Sequence, residues 1–223
     1  MRIMRLWRAV GVALSFSSCL CLEARAATHA IHADVPALID PKARYLIYLH
    51  GRILELQGRQ AVSPDFGRYE YDAILKALAG KGLVVISELR GPDTGPAYAK
   101  KVAAQVRKLV TAGVPAGHIT VAGFSKGGFL TRATALELAD PGVNFVIMAG
   151  CGRDPDEAAA ARLKGRILSL YDESDEMAGS CQRLFAPGMQ TREVKLTTGL
   201  RHGLFFRPRA DWIDLLADWA LNP

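Results

Sequence analysis

Short apolar runs recur along this chain, each followed by a longer stretch in which apolar residues return at helical spacing. Tyr45-Leu46-Ile47-Tyr48-Leu49, Leu83-Val84-Val85-Ile86-Ser87, Ile119-Thr120-Val121-Ala122, Asn144-Phe145-Val146-Ile147-Met148-Ala149 and Ile167-Leu168-Ser169-Leu170-Tyr171 do not alternate as a half-solvated strand would. They predict strands covered on both faces. Arg192-Glu193-Val194-Lys195-Leu196 does alternate and predicts a strand close to an edge. Between these runs, helices are predicted over 69–78, 96–110, 126–139, 156–163 and 211–221. In the second of them Val102, Val106, Leu109 and Val110 share one side; in the last, Trp212, Leu215, Leu216 and Trp219 do, which marks those tryptophans as core. Gly80-Lys81-Gly82 closes the first helix, because glycine accepts the left-handed conformation there. Strand–helix alternation of this kind predicts an α/β fold: a doubly wound, mostly parallel sheet of about six strands with helices on both faces.

The two ends of the chain differ in character. Residues 1–8 are basic, Ala9 to Leu22 are apolar, and Ala24-Arg25-Ala26 offers small residues around a cut. Residues 1–26 therefore read as a cleavable export signal, with a lipid anchor on Cys19 the less favoured reading. The apolar run is too short to span a bilayer, so no stable membrane span is expected after cleavage. Residues 27–223 form a single predicted domain, without repeats or a linker. The formal charge is +6, but four arginines and one glutamate lie before residue 27, which leaves +3 for the rest. That balance, with no basic run interleaved with aromatics, argues against nucleic acid as a partner. It carries no signal for oligomeric state. Cys151 and Cys181 remain after cleavage, an even pair that in an exported chain implies a disulfide; their spacing is not that of a metal site.

The chemistry concentrates at strand ends. Gly123-Phe124-Ser125-Lys126-Gly127 sits between an apolar strand and a helix, where a G-x-S-x-G turn pushes a serine hydroxyl out on a tight bend. An acidic loop, Asp172-Glu173-Ser174-Asp175, follows the strand ending at Tyr171, and His202 follows the last strand. In a doubly wound sheet these ends share one edge, where ligands bind. From the residues alone, Asp172, Asp175 and Asp154 all compete as the acid. His50 reads as a structural support of its loop, and His29, His32 and His118 as surface residues. The Gly123–Gly128 segment lacks the G-x-x-x-x-G-K-[ST] spacing of a phosphate-binding loop.

These motifs resemble the α/β-hydrolase superfamily, in its small, lidless, dienelactone-hydrolase-like esterase form. The nucleophile–acid–histidine order Ser125, Asp175, His202 and the upstream His50-Gly51 carry the resemblance, over roughly residues 43–221. It implies Ser125 as nucleophile, His202 as general base and then acid, and Asp175 as the orienting carboxylate, in register with the family's acid loop. It also implies the main-chain amides of Lys126 and Arg52 as oxyanion donors. The implied activity is hydrolysis of small carboxylic esters or thioesters through an acyl-enzyme, with no metal and no organic cofactor. An acyl transferase on the same triad, or an idle binding module, are the alternatives. Arg52 and Arg201, with the Lys126 side chain, place cations beside the site and suggest substrates with negatively charged acyl groups. Only about seventeen residues precede the His-Gly strand after cleavage, so a smaller sheet than usual is expected.

Overall fold

Seven strands lie parallel in one sheet, and most are apolar on both faces because helices cover both. The structure is a computed structural model, and it describes residues 30–152 and 163–223. The expectations for 1–26, Cys19, His29, Asp154 and most of the helix over 156–163 lie outside those residues. In chain order the elements are β1 (Ile31–His32), β2 (Tyr45–Leu49), α1 (Arg52–Gln57), β3 (Val62–Ser63), β4 (Gly67–Arg68), α2 (Tyr71–Ala79) and β5 (Val84–Ile86). Then follow α3 (Tyr98–Thr111), β6 (Ile119–Phe124), α4 (Lys126–Leu138), β7 (Asn144–Met148), β8 (Arg166–Asp172), β9 (Thr191–Leu196) and α5 (Ala210–Leu221).

The sheet order is β1-β5-β2-β6-β7-β8-β9, and β3 pairs with β4 in a separate antiparallel hairpin. All sheet pairings are parallel, so the carboxyl ends of the strands form one rim. From β2 the chain runs to β5 on one side and then to β6 on the other. The crevice between β2 and β6 is thus the switch point at which open α/β sheets bind ligands. Leu49 pairs with Gly123 at that end of the two strands.

Strand alternation divides the core in two. Leu46, Tyr48, Ala122, Phe124, Val146 and Leu168 pack with α2 and α5 on one face. Tyr45, Ile47, Leu49, Val121, Phe145 and Ile167 pack with α3 and α4 on the other. Trp212 is wholly buried and Trp219 nearly so, as their spacing implied.

The sheet is the mostly parallel one expected at about six strands; a seventh is added at the edge, where Ile31 and His32 pair with Val85 and Ile86. So short a run leaves no periodic signal in a sequence. The strand before the serine runs two residues further than predicted, through Gly123 and Phe124. A glycine normally weakens a strand, but here a side chain at 123 would lie 2.2 Å from the Gly127 carbonyl oxygen.

Candidate active site

Ser125 stands at the crossing from β6 to α4 with φ 56° and ψ −120°, a conformation that costs a non-glycine residue about 1–3 kcal/mol. Its neighbours enforce the bend. The Ser125 amide donates to the Met148 carbonyl at 2.8 Å, and its own carbonyl accepts the Phe129 amide at 3.0 Å. A side chain at Gly127 would lie 1.9 Å from the Leu49 carbonyl oxygen, and one at Gly128 2.9 Å from the Gly150 Cα. Both glycines are therefore required by backbone contact as α4 starts against β2 and β7. The result is a serine held on a taut bend beside the Gly51–Arg52 turn, since a Cβ on Gly51 would be 3.7 Å from that of Ser125.

His202 and Asp175 meet. The loop after β9 carries His202 on a 3-10 turn (Arg201–Phe206), and the loop after β8 carries Asp175. Histidine Nδ1 and aspartate Oδ2 are 2.7 Å apart, both residues almost fully buried. The other oxygen of Asp175 accepts the Met177 amide at 2.9 Å. The imidazole lies over Phe124, ring centres 4.7 Å apart. Among the described residues no hydrogen bond engages the Ser125 hydroxyl; serine and imidazole are neighbouring walls of one cavity of about 270 Å³. Phe66, Ile53, Met177 and Phe206 supply its apolar lining.

Asp172, the competing carboxylate, points elsewhere. It is wholly buried and accepts the amide and hydroxyl of Thr198 at 2.9 and 2.5 Å, and the amide of Ser174 at 3.0 Å with that residue's hydroxyl. Burial alone would raise its pKa, but these donors outweigh it and hold the carboxyl below its usual range. Asp172 clasps the acid loop to the histidine loop. No hydrogen bond joins it to His202 among the described residues.

The predicted cations separate. Arg52 is exposed and borders both the 270 Å³ cavity and a second one of about 480 Å³ on the α4 side. The Arg201 guanidinium stacks over Phe66 at 5.2 Å and borders a third cavity of about 250 Å³, with Arg207 and Arg209. Lys126 does not present a free charge, because its ammonium is paired with Glu55. Sequence reasoning missed that partner. It also missed Arg90, whose Nε is 3.1 Å from the same carboxylate.

His50 is the structural support that was expected, in a defined tautomer. The Arg90 amide donates to its Nε2 at 2.9 Å, so Nδ1 carries the proton and donates to the Gly51 carbonyl at 2.9 Å. Burial first, then the nearby Arg90 charge, push its pKa down to about 3 and keep the ring neutral. Of the other two histidines read as surface residues, His32 lies in the edge strand β1 and His118 is half-buried before β6.

Ser63-Pro64-Asp65-Phe66-Gly67 is a run of turn-forming residues. It is the tip of the β3–β4 hairpin, where Ser63 Oγ accepts the Asp65 and Phe66 amides at 3.2 and 3.3 Å and turns Phe66 into the site. Gly203 is explained by that ring, since a side chain at 203 would lie 2.9 Å from it. Sequence had marked the cysteines, and Cys151 and Cys181 form a disulfide with Cα atoms 5.4 Å apart. It joins the end of β7 to the chain beyond Asp175, where Glu193 of β9 also accepts the Cys181 amide at 2.6 Å. No group of side chains suited to a metal ion occurs among the described residues, and no helix there is long and apolar enough to cross a membrane.

The parallel sheet, its switch point between β2 and β6 and the serine bend at the end of β6 are those of the α/β-hydrolase fold. Solved structures agree. The chain is similar to 2,6-dihydroxy-pseudo-oxynicotine hydrolase, with a TM-score of 0.57 and 16% identity, over 84% of this chain and 63% of that one. It is similar to SOBER1 of Arabidopsis thaliana, with a TM-score of 0.58 and 13% identity, over 80% of this chain and 98% of that one. An esterase of Rhizomucor miehei gives 0.58 and 16%, over 81% of this chain and 74% of its own. At such identities the likeness establishes the fold. No protein-family model matches the sequence, and no curated protein matches it.

Proposed function

We propose that the protein is a serine hydrolase that cleaves carboxylic esters or thioesters of small substrates through an acyl-enzyme. One observation carries the reading: His202, bonded to Asp175 at 2.7 Å, lines the same cavity that the strained Ser125 borders. The fold is one in which the similar structures are named hydrolases and esterases, which supports the same reaction class.

In this reading a substrate carbonyl enters the 270 Å³ cavity above Ser125. A serine hydroxyl is a weak nucleophile at neutral pH, so His202 Nε2 takes its proton as Oγ attacks. Asp175 keeps the proton of His202 on Nδ1, leaving Nε2 free to accept, and stabilises the imidazolium that forms. The oxygen of the tetrahedral intermediate turns to the amides of Arg52 and Lys126, each worth roughly 3 kcal/mol of barrier lowering. Collapse breaks the bond to the leaving alcohol or thiol, which departs with the proton from His202. Water then repeats the sequence and releases the acid.

Arg52 at the cavity wall and Arg201 behind Phe66 favour acyl groups bearing negative charge. Residues 1–26 act as a removable export signal, and the disulfide suits the non-reducing compartment that export implies. Labelling by a fluorophosphonate probe tests the core of this reading. Wild type is expected to be labelled and Ser125→Ala not; an unlabelled wild type that also fails on a panel of chromogenic esters overturns it. Unchanged preference between anionic and neutral esters in Arg52→Ala and Arg201→Ala removes the charge selectivity.

A further inference from the structure

The two amides assigned to the oxyanion belong to different chain segments, one after β2 and one after β6. They act on one oxygen only if those segments are fixed to each other. The strand pairing ends at Leu49 and Gly123 and does not reach them. Besides the packing of Gly127 on the Leu49 carbonyl, a buried carboxylate ties the two segments through side chains. Glu55, one turn into α1, has a side chain with no solvent exposure, and its two oxygens face two different cations. Oε1 lies 3.1 Å from Arg90 Nε, and Oε2 accepts from Lys126 Nζ.

Each partner leads back to the site. Lys126 is the residue whose amide follows Ser125. Arg90, also without exposure, comes from the loop after β5; its guanidinium donates to the His50 carbonyl and its amide to His50 Nε2. His50 in turn donates to the carbonyl of Gly51, the residue before Arg52. A single carboxylate thereby ties together the ends of β2, β5 and β6. The charges are unequal: one carboxylate faces two cations, and the nearby Glu88 is already engaged by Tyr98 and Lys101. One positive charge is left over, next to the place where the tetrahedral intermediate develops a negative one.

We infer that Glu55 is a positioning residue for the oxyanion site: it locks the Arg52 and Lys126 amides to a common target and, with Arg90 and Lys126, leaves a net positive charge beneath them. The inference rests on the serine-hydrolase reading. Its consequence is selective. Loosening the clasp degrades binding of the tetrahedral oxyanion and leaves binding of the planar ester largely alone, since only the former uses both amides fully. A displacement of about 1 Å at such donors costs on the order of 100-fold in rate.

The test compares Glu55→Gln, Lys126→Met and Lys126→Arg in the full-length protein, using a p-nitrophenyl ester and a trifluoromethyl ketone that mimics the tetrahedral state. Glu55→Gln and Lys126→Met are expected to lower kcat by about 10- to 100-fold with KM changed by less than about threefold. The ketone is expected to weaken by the same factor as kcat/KM, and Lys126→Arg, which keeps the charge, to recover most of the loss. Glu55→Gln leaves two cations buried on a neutral amide and can fail to fold; Lys126→Met, at a partly exposed side chain, then decides the matter alone. Folded variants with unchanged kcat, or a loss confined to KM, overturn the inference. Loss of fluorophosphonate labelling in the wild type would instead indict the hydrolase reading, so the two failures are distinguishable.

Discussion

Thr198 gives both its amide and its hydroxyl to a single oxygen of Asp172, at 2.9 and 2.5 Å. Through that pair the loop carrying the acid and the loop carrying the histidine are joined, although β9 separates them along the chain. Asp172→Asn is expected to cost about 1–3 kcal/mol at neutral pH, because an amide cannot accept from every one of these donors. The folded carboxyl titrates below its ordinary value near 3.9, so its contribution is complete above that value and is lost as pH falls through the lower folded pKa. Urea unfolding of wild type and variant should therefore differ at pH 7 and converge in strong acid. A difference that persists there refutes the assignment.

Asp175→Asn separates the two carboxylates by function. Its amide cannot hold the proton on Nδ1 of His202, and a fall of about 10⁴-fold in kcat is expected. Stability should change much less than in Asp172→Asn. Ester turnover and urea midpoints of the two variants give the comparison, and equal activity losses would contradict it.

Ser125→Gly should abolish ester turnover and yet stabilise the protein by about 1 kcal/mol, because glycine adopts the φ of 56° without strain. Ser125→Ala keeps the strain and should gain nothing. A lower urea midpoint for the glycine variant than for the alanine variant would count against a strained bend.

Paired replacement of Cys151 and Cys181 by alanine should cost about 3 kcal/mol, as expected for a cross-link closing a loop of 30 residues. Since the bridge fastens the chain just beyond Asp175, kcat should fall more steeply with temperature than in wild type. Parallel thermal profiles would remove the link to the acid loop.

The fold was legible because its strands are buried on both faces and so appear as unbroken apolar runs, whereas β1 and the β3–β4 hairpin, at two residues each, are too short for any period to register. Gly123, Ser125 and Gly127 could be read from local spacing because their constraint is local: a bend, and the backbone contacts that force it. Glu55 and Arg90 could not. Each is an ordinary charged residue in its own segment, and only the return of β5 beside β2 buries them together. The Lys126 ammonium looked available for substrate for the same reason, its partner being 71 residues away. That Asp172 faces Thr198 and Asp175 faces His202 is a matter of loop direction that periodicity does not encode.

Phe66, with Asp65 beside it at the tip of a hairpin, stands between the compartment at the serine and the arginine-lined one beyond it. Trimming that ring to alanine would merge the two rooms into a trough while leaving Ser125, Asp175 and His202 in place. In the proposed hydrolase, the breadth of molecules admitted would then be set by a residue that takes no part in bond breaking.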